Sequence, residues 1–192
     1  MAMKRVECLK VLAKYRTDEF VIVAWQSINP WQQLSPSKYN FQSIRTMGEC
    51  STFGLGLALA RPGRRVMVLE GDGSLCMNLG CLVTIAMAAP PNYYQFILHN
   101  RVYETTGGQT IPNIDRLDLA MIARGAGIPS VHRYRDAETL ERELPELLKE
   151  KGPVFILLDI EPDESHLSGK EFGKVRARDK DCNRQFKEAL ST

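Results

Sequence analysis

The chain has 192 residues, 44% of them hydrophobic and 25% charged, with a net charge of +2. That size and composition suit one globular core, and the near-neutral balance argues against a nucleic-acid or membrane-surface partner. No apolar stretch reaches the roughly 18 residues that a membrane span needs, and the opening MAMKRVECLKVLAKYRTDEF lacks a signal peptide's apolar centre. The cysteines, Cys8, Cys50, Cys76, Cys81 and Cys182, are odd in number and irregular in spacing. This favours reduced thiols and a cytoplasmic setting over a disulfide framework, with Cys76 and Cys81 as small core residues on a helix.

In chain order, Lys4 to Tyr15 reads as a helix and EFVIVAW (19–25) as a buried strand. The polar stretch 26–46 is too long for a plain connection, so it is functional or partly structured. STFGLGLALA (51–60) reads as a helix with Ser51 as N-cap, and its Gly54 and Gly56 predict close packing against another backbone. RRVMVLE (64–70) is a strand, NLGCLVTIAMAA (78–89) a helix and YYQFILHN (93–100) a strand, followed by a glycine-rich loop. DLAMIARGAG (118–127) is a helix, SVHRY (130–134) a strand, 136–151 an amphipathic helix capped by Asp136, and PVFILLDIE (153–161) the last strand. Alternating strands and helices with continuous apolar strands predict an α/β fold: a doubly wound, mainly parallel sheet flanked by helices. Residues 1–162 form the expected domain. Residues 163–192, charged and weakly apolar, are expected to be a C-terminal tail or surface helix.

The chemistry gathers at GDGS (71–74), directly after an apolar strand. Ligands of open parallel sheets bind at the strands' carboxyl ends. The flanking glycines allow a sharp turn and close approach, and the helix start that follows favours an anion such as phosphate. A carboxylate there would repel phosphate unless a divalent cation lies between them, and magnesium takes oxygen ligands of this kind. Asn100 ends the next strand, with 26 residues between it and Gly73.

The run of GDG, a helix, a strand and then Asn resembles the signature of the diphosphate-binding domain of thiamine diphosphate-dependent enzymes. TMGECSTFGLGLALARPGRRVMVLEGDGS is similar to their stretch from an M-G turn to the GDG strand. YETTGGQT (103–110) resembles the branch that holds sulfopyruvate and phosphonopyruvate decarboxylases. The resemblance implies that Asp72, Asn100 and the Val102 carbonyl hold Mg2+. It implies that Gly71, Gly73, Ser74 and Tyr103 line the cofactor, with Ser74 and Gly73 meeting the diphosphate through backbone N–H or hydroxyl. Met47 would wedge beneath the bent cofactor, and the carbonyl near Arg45 would accept from its amino group. Glu49 and Gln109 are expected to face either substrate or solvent, and Arg45 and Arg101 to meet an anionic substrate or to be surface charges. The chain departs from the family at WQSINPW (25–31), which lacks the usual glycine-bearing turn, and at His99, where another Asn is frequent.

The resemblance further implies that the carboxylate activating the cofactor, a Glu, comes from a separate pyrimidine-binding domain that this chain is too short to hold. The expected assembly is a hetero-oligomer or homodimer in which this chain is the diphosphate-binding subunit of a 2-oxoacid decarboxylase. The alternatives are an acetolactate synthase-like carboligase subunit and a non-catalytic cofactor-binding or regulatory module.

Overall fold

A computed structural model describes residues 2–43, 47–163 and 179–191. The elements are α1 (Arg5–Tyr15), β1 (Phe20–Ala24), α2 (Ile28–Leu34), β2 (Asn40–Ser43), α3 (Cys50–Ala60), β3 (Val66–Gly71), α4 (Asp72–Cys76), α5 (Cys81–Ala88) and β4 (Tyr93–His99). A short hairpin of β5 (Val102–Tyr103) and β6 (Gln109–Thr110) follows, then α6 (Leu119–Gly125), β7 (Ser130–Tyr134), α7 (Ala137–Leu147), β8 (Val154–Asp159) and α8 (Asp179–Ala189). The main sheet has six strands in the order β2-β1-β3-β4-β8-β7, and every pairing in it is parallel.

Strands β1, β3, β4 and β8 are buried along almost their whole length. Alternate side chains therefore feed two cores. Val21, Met67, Phe96 and Ile156 meet α1, α2 and α7 through Leu9, Trp31 and Leu144. Ile22, Val68, Ile97 and Leu157 meet α3, α5 and α6 through Leu57, Leu82 and Ala123. This is the doubly wound arrangement that the continuous apolar strands predict.

The stretch 26–46 is partly structured, as expected: it carries α2 and a further strand, β2, that its polar sequence NFQS conceals. Two expectations need correction. Helix α3 begins one residue earlier than expected, with Glu49 at the N-cap. Ser51 lies inside its first turn and bonds the buried carboxyl of Glu70 instead of capping. Gly54 is closely packed as expected, but against side chains and not a backbone: a Cβ there would lie 2.3 Å from Val68 Cγ2. Gly56 is not closely packed, since among the described residues a Cβ there meets nothing within 4 Å.

Helix α8 covers the outer edge of β2. The Asn183 side chain accepts from Gln42 N at 3.0 Å and donates to Gln42 O at 3.2 Å, as a neighbouring strand would. Phe186 is 2% exposed and packs edge-on against Phe20. Among the described residues no helix is long and apolar enough to cross a membrane.

The contrast between the two glycines makes a test. Gly54→Ala should destabilise the fold by about 1–3 kcal/mol through overpacking, despite alanine's better helix propensity. Gly56→Ala should stabilise by up to about 1 kcal/mol. Urea unfolding followed by circular dichroism reads both, and equal effects would contradict the close approach of α3 to β3.

Candidate functional site

The chain leaves β1 for β2 on one side and returns to β3 on the other, so the carboxyl ends of β1 and β3 flank the topological switch of the sheet. Trp25 exits β1 at φ 47, a left-handed conformation strained for an aromatic residue. Among the described residues its buried indole N–H has no hydrogen-bond partner.

Asp72 follows β3 directly and is 1% exposed. The parallel register sets Gly71 opposite Leu98, so the next residue on each strand, Asp72 and His99, are neighbours. Asp72 Oδ2 lies 2.7 Å from His99 Nδ1 and accepts from Arg101 N at 2.7 Å. A carboxylate oxygen only accepts, so this contact requires a hydrogen on Nδ1. Asp72 Oδ1 accepts from Gly73 N at 2.8 Å and keeps a lone pair. Oδ2 is the oxygen spent inside the protein, and Oδ1 is the one left to meet a ligand.

Asn100 is 7% exposed. Its Oδ1 accepts from Val102 N at 3.0 Å, a local turn that leaves one lone pair. Arg101, at φ 71, bends the chain so that its N–H points back to Asp72. Ile111 N donates to Arg101 O at 3.2 Å. Hydrogen-bonded pairs alternate along an antiparallel ladder, so Val102–Thr110 is the non-bonded pair and the Val102 carbonyl turns away from β6. The structure thus offers a carboxylate oxygen, an amide oxygen and a backbone carbonyl turned away from β6, at the ends of β3 and β4 and the turn that follows. These are hard oxygen donors that fit magnesium. Among the described residues no group of three or more His, Cys, Asp or Glu side chains is placed to hold a metal, so a cation here would need further ligands from phosphate and water.

The glycines of GDGS act differently from the expected sharp turn. Gly71 has φ −81, open to any residue, and among the described residues a Cβ there meets nothing within 4 Å, so they leave the space beside it open. A Cβ on Gly73 would lie 2.7 Å from Tyr103 Cδ1, so glycine is what lets the Tyr103 ring close over the turn. The helix after the motif is also interrupted. α4 is five residues long and separated by a turn from α5, which weakens the expected helix-dipole contribution.

Ser74 is turned inward. Its hydroxyl donates to Glu70 Oε1 at 2.5 Å and accepts from Gly48 N at 2.9 Å, while Asn78 Nδ2 donates to Gly48 O at 2.9 Å. The Met47–Gly48 turn, with Gly48 at φ 84, is thereby tied to the GDGS segment, and Met47 is half-buried. Arg45 lies outside the described residues. Glu49 is exposed, and Gln109 is held within its own hairpin by Thr106. Arg101 forms an exposed ion pair with Asp115. Burial pushes the thiols of Cys76 and Cys81 up to about 11, so both stay protonated near neutrality. Glu70, fully buried, was not singled out in the sequence: a carboxylate ending an apolar strand signals its partners only once α3 is docked.

A family model described as Thiamine pyrophosphate enzyme, C-terminal TPP binding domain, matches residues 22–158. The chain belongs to this family. It is 37% identical over 164 residues to a protein named sulfopyruvate decarboxylase subunit beta from Methanothermobacter thermautotrophicus, covering 84% of each chain. It is 32% identical over 184 residues to a phosphonopyruvate decarboxylase from Streptomyces viridochromogenes, covering 95% of this chain and 45% of that protein. Among solved structures, a thiamine diphosphate-dependent 4-hydroxybenzoylformate decarboxylase from Rhodococcus jostii aligns with a TM-score of 0.72 at 21% identity, over 85% of this chain and 33% of that one. At that identity the likeness is one of fold. The chain spans less than half the length of the phosphonopyruvate decarboxylase and most of the length of the beta subunit.

Gly73→Ala should force the Tyr103 ring away and loosen the β5–β6 hairpin. Amide exchange at Val102–Tyr103 and Gln109–Thr110 should rise while β3 and β4 stay protected. Unchanged exchange in the hairpin would contradict the packing of Tyr103 on this glycine.

Proposed function

We propose that the chain is the diphosphate-binding subunit of a thiamine diphosphate- and magnesium-dependent 2-oxoacid decarboxylase, working with a partner subunit that carries the pyrimidine-binding domain. The observation that carries this reading is the buried Asp72 carboxylate, oriented by His99 and the Arg101 amide with one oxygen left over, beside Asn100 and an outward carbonyl. Membership of the family supports the cofactor. Relatives named as beta subunits support an enzyme divided between chains.

In this reading Asp72 Oδ1, Asn100 Oδ1 and the Val102 carbonyl hold magnesium. When bound, thiamine diphosphate supplies a carbon nucleophile and an electron sink for decarboxylation next to a carbonyl. The chain's own residues bind and orient. Asp72 and Asn100 anchor the diphosphate end through the cation, the open space beside Gly71 admits a ligand close to the backbone, and Met47 supports the cofactor from its turn. The substrate is a 2-oxoacid with an anionic tail, of the sulfopyruvate or phosphonopyruvate kind, by analogy with the relatives' names.

A partner is supported by the surface as well. Phe53, Leu59, Met77, Val83, Met87 and Met121 are all exposed. They lie on α3, α5, α6 and the turn before α5, one face of the sheet, and residues 73–100 contain no Lys, Arg, Asp or Glu. Exposed apolar side chains together with this charge-free segment favour burial against another chain.

The test is turnover. Copurified with the chain that supplies the pyrimidine domain, the protein should release carbon dioxide from sulfopyruvate or phosphonopyruvate only with thiamine diphosphate and magnesium present. Asp72→Ala should reduce this by at least about 100-fold. Cofactor binding without turnover of any 2-oxoacid would favour the non-catalytic module instead, and condensation products in place of aldehyde would favour the carboligase.

A further inference from the structure

Glu70 is a carboxyl with no solvent contact, set on the α3-facing side of β3 among apolar side chains. An ionisable group in such a place is costly unless its hydrogen bonds are complete. Both oxygens are used. Ser51 Oγ donates to Oε2 and Ser74 Oγ donates to Oε1 at 2.5 Å. Each serine oxygen in turn accepts one more donor: Gln95 Nε2 reaches Ser51 Oγ at 2.7 Å, and Gly48 N reaches Ser74 Oγ at 2.9 Å. The chain of donors therefore runs from β4 through α3 to Glu70, and from the Met47–Gly48 turn through the GDGS segment to the same carboxyl. Both serine protons have an acceptor on the carboxyl, while among the described residues Gln95 Oε1, at the far end of the chain of donors, is buried without a partner.

The geometry depends on Gly54. Its missing Cβ lets α3 sit directly on Val68 and Tyr93. Ser51 lies one turn earlier on the same helix face, which brings its hydroxyl down to Glu70. Tyr93 completes the contact by donating to Ser51 O at 3.1 Å. A packing core alone would be served as well by a leucine at position 70; two serines, a glutamine and a backbone amide converging on one carboxyl serve to fix positions.

We propose that Glu70 is a positioning residue that holds the two walls of the cofactor site in register, the turn bearing Met47 and the turn bearing Asp72. This role rests on the cofactor reading above. Through Ser74 it also assigns the serine hydroxyl to the interior, so that hydroxyl does not bind the diphosphate.

The test has two arms. In the full chain alone, Glu70→Gln leaves one serine hydroxyl without an acceptor, and Ser74→Ala removes the bridge to Gly48 while sparing the Ser51 contact. Either variant should raise amide exchange at Gly48 by about 10-fold or more while α3 and β3 keep their protection. In the assembled enzyme, thiamine diphosphate with magnesium should bind about 10- to 100-fold more weakly to either variant under conditions where it is fully folded. Met47→Ala, which weakens binding in the parent chain, should add little to Glu70→Gln, because the turn is already released. A purely structural Glu70 would instead raise exchange across α3 and β3 alike, and its effect would multiply with that of Met47→Ala. That pattern, or unchanged exchange at Gly48, or unchanged cofactor affinity, overturns the proposal. If Glu70→Gln fails to fold, Ser74→Ala decides the matter alone. Failure of the parent assembly to bind cofactor would overturn the cofactor reading and this role with it, and is recognised separately because the exchange arm involves no cofactor.

Discussion

Parallel strands β3 and β4 end almost level, with Gly71 opposite Leu98, and the rest of the site depends on that register. One residue further along each strand, a buried carboxylate meets an imidazole. One residue beyond that, Asn100 begins the turn whose next amide returns to the same carboxylate. Slipping the pair by one residue would turn every side chain of β4 to the opposite core. The apolar packing on both faces therefore also sets the position of Asp72. Stability and site geometry share one cause here, the burial of β3 and β4 between two helical layers.

The second constraint is the approach of α3. The glycine at position 54 lets that helix settle directly on the Val68 and Tyr93 side chains, and the polar cluster around Glu70 forms in the contact. The small-residue helix is thus more than a low-volume spacer. It carries Ser51 to the strand and, through Glu70 and Ser74, joins the turn before α3 to the turn after β3. Loops that surround a ligand site are ordinarily the least stable parts of a fold. Here two of them are tied to the centre of the sheet by buried hydrogen bonds.

Much of this was legible in the sequence for identifiable physical reasons. Five of the six main strands are continuous apolar runs or flanked by clear turn signals, and the alternation of strand and helix leaves few topologies. The spacing from Asp72 to Asn100 was readable because a helix and a strand of ordinary length fill it. What stayed hidden depends on contacts between distant segments. β2 is four residues of polar sequence, NFQS, that becomes a strand by pairing with β1 and by the Asn183 amide along its outer edge. Gly54 and Gly56 look alike in sequence and differ only in which face of α3 meets the sheet. His99 could be noticed as a departure from the family pattern, but its bond to Asp72 follows from strand register, not spacing. Glu70 gave no signal because its two serine partners come from other elements, α3 and α4.

The central claim is that Asp72 and its neighbours bind a diphosphate through a divalent cation. Calorimetric titration of thiamine diphosphate into the assembled enzyme, with magnesium and then with magnesium removed by chelator, tests it most directly when run beside Asp72→Asn. This account predicts saturable binding that requires magnesium and is lost or weakened at least about 10-fold in the variant. Binding of equal strength without magnesium, or equal strength in a folded Asp72→Asn protein, would contradict it.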